Sequence, residues 1–545
     1  MTPSLFRLKS WLHAGASVAF AAWLMGGYPA NAAPASTVQP QYTGDLIIKW
    51  RNDTSGTRKT LSAAEVNNRL LSVAQAAGST LQVKRTLASQ AQLMGTGLTD
   101  AASIEAAAAK IAQDARVAYA VPDRILRPAI VPNDALFATQ TNLASPTVVA
   151  GGINVAAAWD ITKGSPSMVV AVVDTGYTDH PDLSAKILPG YNFISDPVRA
   201  GNLFGRGTDA YDMGDGVTST SQYPSLSCTT SDVHTSSWHG TEVASVLAAS
   251  TNNLIDIAGV GWNTQVVPVR VSGRCGALLS DTVDGMLWAG GIAVSGAPTN
   301  ANPARVVNVS LGSVGQCSAA EQDAVNQLAA RGAIVVAASG NEAAQSVDAP
   351  ANCSGAIAVT AHVDSGENAS YANVGPQVAI SAPGGGCPNS QPSCALPSTI
   401  VVDSNDGSYS PGNPVVKPNT PGGVVAGTSF STPEVAGTIA LMLSVQPQLS
   451  NAQVLAGLQQ TARAHPSGTF CTTNAGVCGA GLLDAAGAVG YAQRTAPAGA
   501  GNGSSGSGSS GGSGGSGGGG TVPLMEATLL LALGLACRRR RLLPH

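Results

Sequence analysis

Charged side chains are scarce in this chain. Asp, Glu, Lys and Arg make up 11 % of the 545 residues, and the formal net charge is −4. Without a basic excess there is no electrostatic footprint for nucleic acid, and nothing in the charge balance calls for an acidic substrate. Aromatic residues are sparse too, at 4 %. Apolar residues nevertheless reach 44 %, which excludes the disordered class. Apolar stretches near 14–26 and 522–537 are short for a membrane span. No C-x-x-C pair and no Cys/His cluster occurs, which argues against a structural zinc site.

What is abundant is glycine, with 64 residues, so many turns are expected. Nine cysteines suit an exported, oxidised protein. Eight of them lie between Cys228 and Cys478, and the ninth, Cys537, is in the tail. Cys387 with Cys394 and Cys471 with Cys478 are close enough to close small loops. Cys228 with Cys275 and Cys317 with Cys353 are plausible neighbours, although spacing alone leaves the pairing open. Arg7 and Lys9, the apolar run after them and Ala30-Asn31-Ala32 together read as a cleavable signal peptide, residues 1–32.

Residues 33–128 read as a small α+β domain. Strands are expected over 44–50 and 117–121, the second stopped by Pro122. Helices are expected over 61–77 and 100–115, the latter capped by Thr99 or Asp100. A Pro-containing linker follows at 127–132.

From residue 129 to 495 the rhythm changes. Val/Ile/Ala-rich runs at 168–173, 265–271, 305–309, 333–338 and 356–361 suit parallel strands buried on both faces. Helical segments such as 319–331 intervene. The expected fold is α/β, a doubly wound and mostly parallel sheet. In such sheets functional groups gather beyond the carboxyl ends of the strands. That rule singles out Asp174, Ser310 and Asn341. Residues 496–520 are an almost pure Gly/Ser linker. Residues 521–545 join an apolar segment to four consecutive arginines, Arg538 to Arg541. This pattern fits a sorting or anchor tail that touches the membrane transiently.

Three short motifs carry chemistry. Asp174 ends a run in Val172-Val173-Asp174-Thr175-Gly176. His239 opens His239-Gly240-Thr241-Glu242. Ser429 lies in Gly427-Thr428-Ser429-Phe430-Ser431-Thr432-Pro433, ahead of a helix to about Val445. Each alone is weak, because Asp-Thr-Gly also marks unrelated acid proteases and plain turns. Together, in the order Asp, His, Ser, they closely resemble the three active-site signatures of the subtilisin-like serine peptidase family, and the resemblance covers about 133–493.

The resemblance implies a subtilisin-like fold and a secreted serine endopeptidase whose acyl-enzyme forms on Ser429. His239 would be the base, Asp174 its orienting carboxylate, and Asn341 the oxyanion donor. Ser310-Leu311-Gly312 and Ala338-Ser339-Gly340 would flank extended substrate. A structural calcium ion is implied at Asp134, Asp182, Thr251, Asn253, Ile255 and Ile257, with Asn253 using its side chain and Thr251, Ile255 and Ile257 their carbonyls. Asp209, Asp212 and Asp215 form a second acidic cluster, either a second site or a solvated loop. Residues 33–128 would be an inhibitory propeptide. Partners are then protein or peptide substrates and the chain's own propeptide, and a monomer is expected. Two other classes compete on this fold: a catalytically dead exported binding protein and an esterase.

Two positions depart from the family pattern. Glu242 replaces a histidine and is expected to leave the chemistry untouched. Phe430 stands beside the nucleophile where methionine is frequent. Phenylalanine has no thioether to oxidise, so activity is expected to survive dilute peroxide. Rapid inactivation traced to the active site would refute that expectation.

Overall fold

Val and Ile are branched at Cβ and sit well on a pleated surface, and the chain builds its sheets where they run together. A computed structural model of the chain describes residues 42–51, 69, 74, 80–125, 131–420 and 422–495. The signal peptide, most of the expected helix at 61–77, the linker centre at 126–130 and everything after 495 lie outside the described residues.

The N-terminal region holds β1 (Tyr42–Trp50), β2 (Gln82–Thr86), β3 (Gln92–Gly95), α1 (Ala101–Ala112) and β4 (Val117–Arg124). The strands form an antiparallel sheet in the order β2-β3-β1-β4. Asp100 caps α1 by accepting the Ser103 N–H. Ile104, Ala107, Ala108 and Ile111, at helical spacing, pack on Leu46, Ile48 and Met94 of the sheet. One expectation fails here: Pro122 does not stop the strand but pairs with Leu46 inside β4. β4 is an edge strand, next to a register shift, and a missing N–H is tolerated at such a position.

The larger region is built on β5 (Val169–Asp174), β6 (Tyr191–Asn192), β7 (Gln265–Arg270), β8 (Val306–Val309), β9 (Ile334–Ala338), β10 (Ile357–His362) and β11 (Val378–Pro383). All seven pair in parallel, in the order β11-β10-β9-β8-β5-β7-β6. Five of these strands are the apolar runs noted in the sequence. The helices that matter for the site are α2 (His239–Ala248), α3 (Leu279–Ala289), α4 (Ala319–Ala330) and α5 (Thr428–Val445). A hairpin of β12 (Val402–Asn405) and β13 (Pro414–Lys417) stands apart from the main sheet.

Side chains alternate across the sheet because strand periodicity is two. Val170, Val172, Val266, Val306, Val336 and Val359 face Val243 and Leu247 of α2 and Val435, Ile439 and Leu443 of α5. Ala171, Val173, Val267, Val307, Val309 and Val335 face Met286 and Trp288 of α3 and Val325 and Leu328 of α4. Both faces are therefore covered, which is why these runs show no polar alternation. Four disulfides join Cys228–Cys275, Cys317–Cys353, Cys387–Cys394 and Cys471–Cys478.

Candidate active site

Neighbouring strands β5, β8 and β9 end side by side, delivering Asp174, Ser310 and the loop to Asn341 at one edge of the sheet. Asp174 is fully buried, and its Oδ1 accepts the Thr175 N–H at 2.7 Å. The His239 Nδ1 lies 2.8 Å from Asp174 Oδ1 and 3.0 Å from Oδ2. Glycine is required where the two motifs meet. A Cβ on Gly240 would sit 2.2 Å from the Gly176 carbonyl oxygen, and the Gly240 N–H donates to Thr175 Oγ1 at 3.0 Å. Thr178 N–H donates to Thr241 Oγ1 at 2.8 Å, completing the seam.

Two opposing effects act on the His239 proton. Burial disfavours the cation, but the charge and hydrogen bond of Asp174, followed by the charges of Glu242 and Asp215, outweigh it and raise the imidazole to about 9. The charge of Glu242 thus reaches the imidazole. Glu242 is held by Ser404 Oγ at 2.7 Å and Lys417 Nζ at 3.0 Å. Phe430 packs on the His239 ring, with centroids 5.9 Å apart.

Ser429 is the second residue of α5, so its N–H belongs to the first turn and has no intrahelical acceptor. Pro433, four residues on, lacks the N–H that would bond the Ser429 carbonyl. That carbonyl instead accepts the Ser310 hydroxyl at 2.8 Å, while Ser429 Oγ donates to the Ser310 carbonyl at 3.0 Å. The two serines clasp each other. Among the described residues no hydrogen bond joins Ser429 Oγ to His239. Such contacts are often loose in a ligand-free site and tighten with substrate.

Asn341 follows Gly340, whose φ of 109° and crowding by Asn373 and Asp348 exclude a side chain. Asn341 Oδ1 accepts the Thr428 N–H at 2.9 Å and the Thr428 hydroxyl at 3.0 Å. A backbone N–H can only donate, so the amide orientation is set and Nδ2 is left as a donor beside the start of α5. Glu342 accepts the Asn341 N–H at 2.9 Å and Asn373 Nδ2 at 2.6 Å. Burial, then the charge of Glu342, raises the Asp348 carboxyl to about 6.

The expected substrate residues lie on the loops after β8 and β9. Leu311 and Gly312 are partly and fully exposed, whereas Ala338, Ser339 and Gly340 are buried. The Ser339 hydroxyl turns to the Asn373 carbonyl at 2.8 Å. Asn373, which braces this loop, is remote in sequence and carries no motif that would have flagged it.

Of the expected calcium residues, Asp134, Asp182 and Asn253 are brought together. Asp134 accepts the N–H groups of Asn252 and Asn253 at 2.8 and 3.2 Å. Asp182 accepts Asn253 Nδ2 at 2.7 Å and the Ile257 N–H at 3.0 Å. Asn253 Oδ1 accepts the Ile255 N–H at 2.8 Å, which leaves its second lone pair for a cation. Burial, reinforced by Asp134 and Asp256, raises Asp182 to about 6. Beside it His180, Asp256 and Asp403 bring one ligand atom each within 4.8 Å of one another. Asp403 is buried with neither carboxylate oxygen hydrogen-bonded. Buried oxygen ligands short of positive charge suit a hard cation. In the second acidic cluster Asp209 accepts the Tyr211 N–H, Asp212 the Gly214 N–H, and Asp215 both donors of Ser237.

The model of the subtilase family, peptidase S8, matches residues 165–501. An extracellular protease of Xanthomonas campestris is 42 % identical over 393 residues, 72 % of this chain and 62 % of that protein. An extracellular basic protease of Dichelobacter nodosus is 33 % identical over 420 residues, 76 % of this chain and 65 % of that protein. The chain thus spans a little under two thirds of the length of either relative. A solved structure of a protease from Pseudoalteromonas arctica is 41 % identical, with a TM-score of 0.60, covering 67 % of this chain and all of that one. With the family model matching more than half of its length, the chain belongs to the subtilase family of peptidases.

Proposed function

We propose that this protein is a secreted serine endopeptidase that cleaves protein substrates through an acyl-enzyme on Ser429. The observation that carries the reading is the His239 imidazole held at Nδ1 by both oxygens of buried Asp174, which leaves Nε2 as the available base. His239 takes the Ser429 proton as Oγ attacks the scissile carbonyl. Asp174 orients the ring and stabilises its cation without itself becoming protonated. The oxyanion receives the Ser429 N–H and Asn341 Nδ2, at the positive end of α5. His239 then gives the proton to the leaving amine, and water, activated by the same base, releases the acyl group. Ser310-Leu311-Gly312 and Ala338-Ser339-Gly340 line the path of the extended substrate.

The domain order expected from the sequence completes the reading. Residues 1–32 direct export, 33–128 inhibit the site until cut, 129–495 are the catalytic domain, 496–520 a linker and 521–545 the tail. The names of the relatives, both extracellular proteases, support export. Calcium would be held by Asp134, Asp182, Thr251, Asn253, Ile255 and Ile257, where it would neutralise buried carboxylates and brace the loop before β7.

A fluorophosphonate probe should add once to the matured wild type and not to Ser429→Ala, with a new N-terminus near 129–133. Asn341→Ala should keep the adduct but lose about 10²–10³ in kcat, the size seen when one oxyanion donor is removed from a subtilisin. No adduct on a folded, matured wild type would overturn the peptidase reading in favour of a binding protein. Because His239 is raised, its neutral, basic form is lost as pH falls. The ascending limb of kcat/KM should therefore lie above the ordinary imidazole value of about 6.5, and a limb at or below that value would contradict the site electrostatics. Chelation should lower the melting temperature in the wild type and much less in Asp182→Asn. Calcium at a hundred times its Kd stabilises by about 2.7 kcal/mol. A wild type free of calcium by metal analysis and indifferent to chelator would exclude the ion.

A further inference from the structure

The turn that delivers His239 is not self-supporting. Trp238, immediately before α2, has φ of 57°. The left-handed region is costly for a bulky residue and persists only where its surroundings enforce it. Two contacts do so. The buried Trp238 indole donates to the Gly407 carbonyl at 2.8 Å. On the other side Ser237 Oγ accepts the His239 N–H at 3.3 Å. Ser237 is itself clamped by one carboxylate. Its N–H donates to Asp215 Oδ1 and its hydroxyl to Asp215 Oδ2, both at 2.7 Å. The Asp215 segment is zipped to the segment before Ser237, with the Val217 N–H donating to the His234 carbonyl at 3.0 Å and the Gly216 N–H to Ser236 Oγ at 3.2 Å.

Asp215 thus reaches the imidazole in two ways. Mechanically it fixes the residue that receives the His239 N–H. Electrically it is one of three carboxylates whose charge favours the His239 cation. The others are Asp174 on β5 and Glu242 on α2, the latter tied to Lys417 of β13. The group facing the ring from α5, Phe430, is uncharged.

We propose that Asp215 is a positioning residue for His239, clamping Ser237 so that the left-handed turn at Trp238 holds the imidazole against Asp174. The proposal rests on the peptidase reading for its kinetic consequence but not for its structural one.

The test compares Asp215→Asn with the wild type and with Asp209→Asn, a nearby carboxylate that accepts the Tyr211 N–H rather than Ser237. Asn is the same size and keeps an acceptor for Ser237 but not the charge. Two readouts are taken: the pH profile of kcat/KM on a small ester, and the titration of the His239 imidazole by NMR, which needs no activity. In Asp215→Asn both midpoints should fall, with kcat reduced severalfold and KM unchanged. Asp209→Asn should leave both where they were. Asp215→Ala, which removes the clamp as well, should lose more kcat, and should it not fold, the Asn variant still decides. Unchanged midpoints and kcat in Asp215→Asn would overturn the proposal. An inactive wild type would remove the peptidase reading alone, since the NMR titration still reports on Asp215.

Discussion

The site depends on a contact between two backbones. The turn after β5 and the first residues of α2 touch so closely that Gly240 has no room for a side chain against the Gly176 carbonyl. Any Cβ there would push α2 away and lengthen the bond between His239 and Asp174. Close packing makes the distance between the two titrating groups a property of the fold rather than of flexible side chains. The threonines of both motifs serve the same seam. Thr175 receives the Gly240 N–H and Thr241 the Thr178 N–H.

A second constraint is the proline in α5. Pro433 removes one helical hydrogen bond, and the freed Ser429 carbonyl is taken up by Ser310. The nucleophile's backbone is thereby tied to the loop after β8, and its hydroxyl returns the bond. The helix start, the strand end and the loop carrying Asn341 are linked through Thr428, whose N–H and hydroxyl both reach Asn341. The Ser429 hydroxyl and the Asn341 amide thus share one rigid frame, the arrangement that electrostatic stabilisation of a transition state needs.

Negative charge is the third theme. Few charged residues are spent in this chain, yet several carboxylates are buried. Asp174 is matched by the His239 cation, and Asp212 lies near Arg270, which moderates the rise that burial causes to about 7. Asp182 is met by the uncharged Asn253 amide and Ile257 N–H, and neither Asp403 oxygen is hydrogen-bonded, His180 Nδ1 standing 3.7 Å from its Oδ2. Burying carboxylates without full ionic compensation is costly, and this deficit is what supports the cation proposed beside the loop at 251–257.

Much of this was legible in the sequence because the signals are local. Val/Ile runs announce parallel strands, Asp100 announces a cap, and the three motifs stand at strand ends and helix starts where the α/β pattern puts chemistry. The strand through Pro122 was not legible, because only the sheet order reveals that β4 is an edge. Nor was the electrical reach of Glu242, whose side chain is placed by Ser404 and Lys417, more than 160 residues away. Asp215, Ser237 and Asn373 belong to no motif, and their roles arise from hydrogen bonds between segments remote in the chain. By itself the sequence supplied the candidates for nucleophile, base and orienting acid, since side-chain chemistry limits which residue types can serve. Only the tertiary structure decided how they are held, because positions are set by packing and hydrogen bonds between segments whose distance along the chain says nothing about their distance in space.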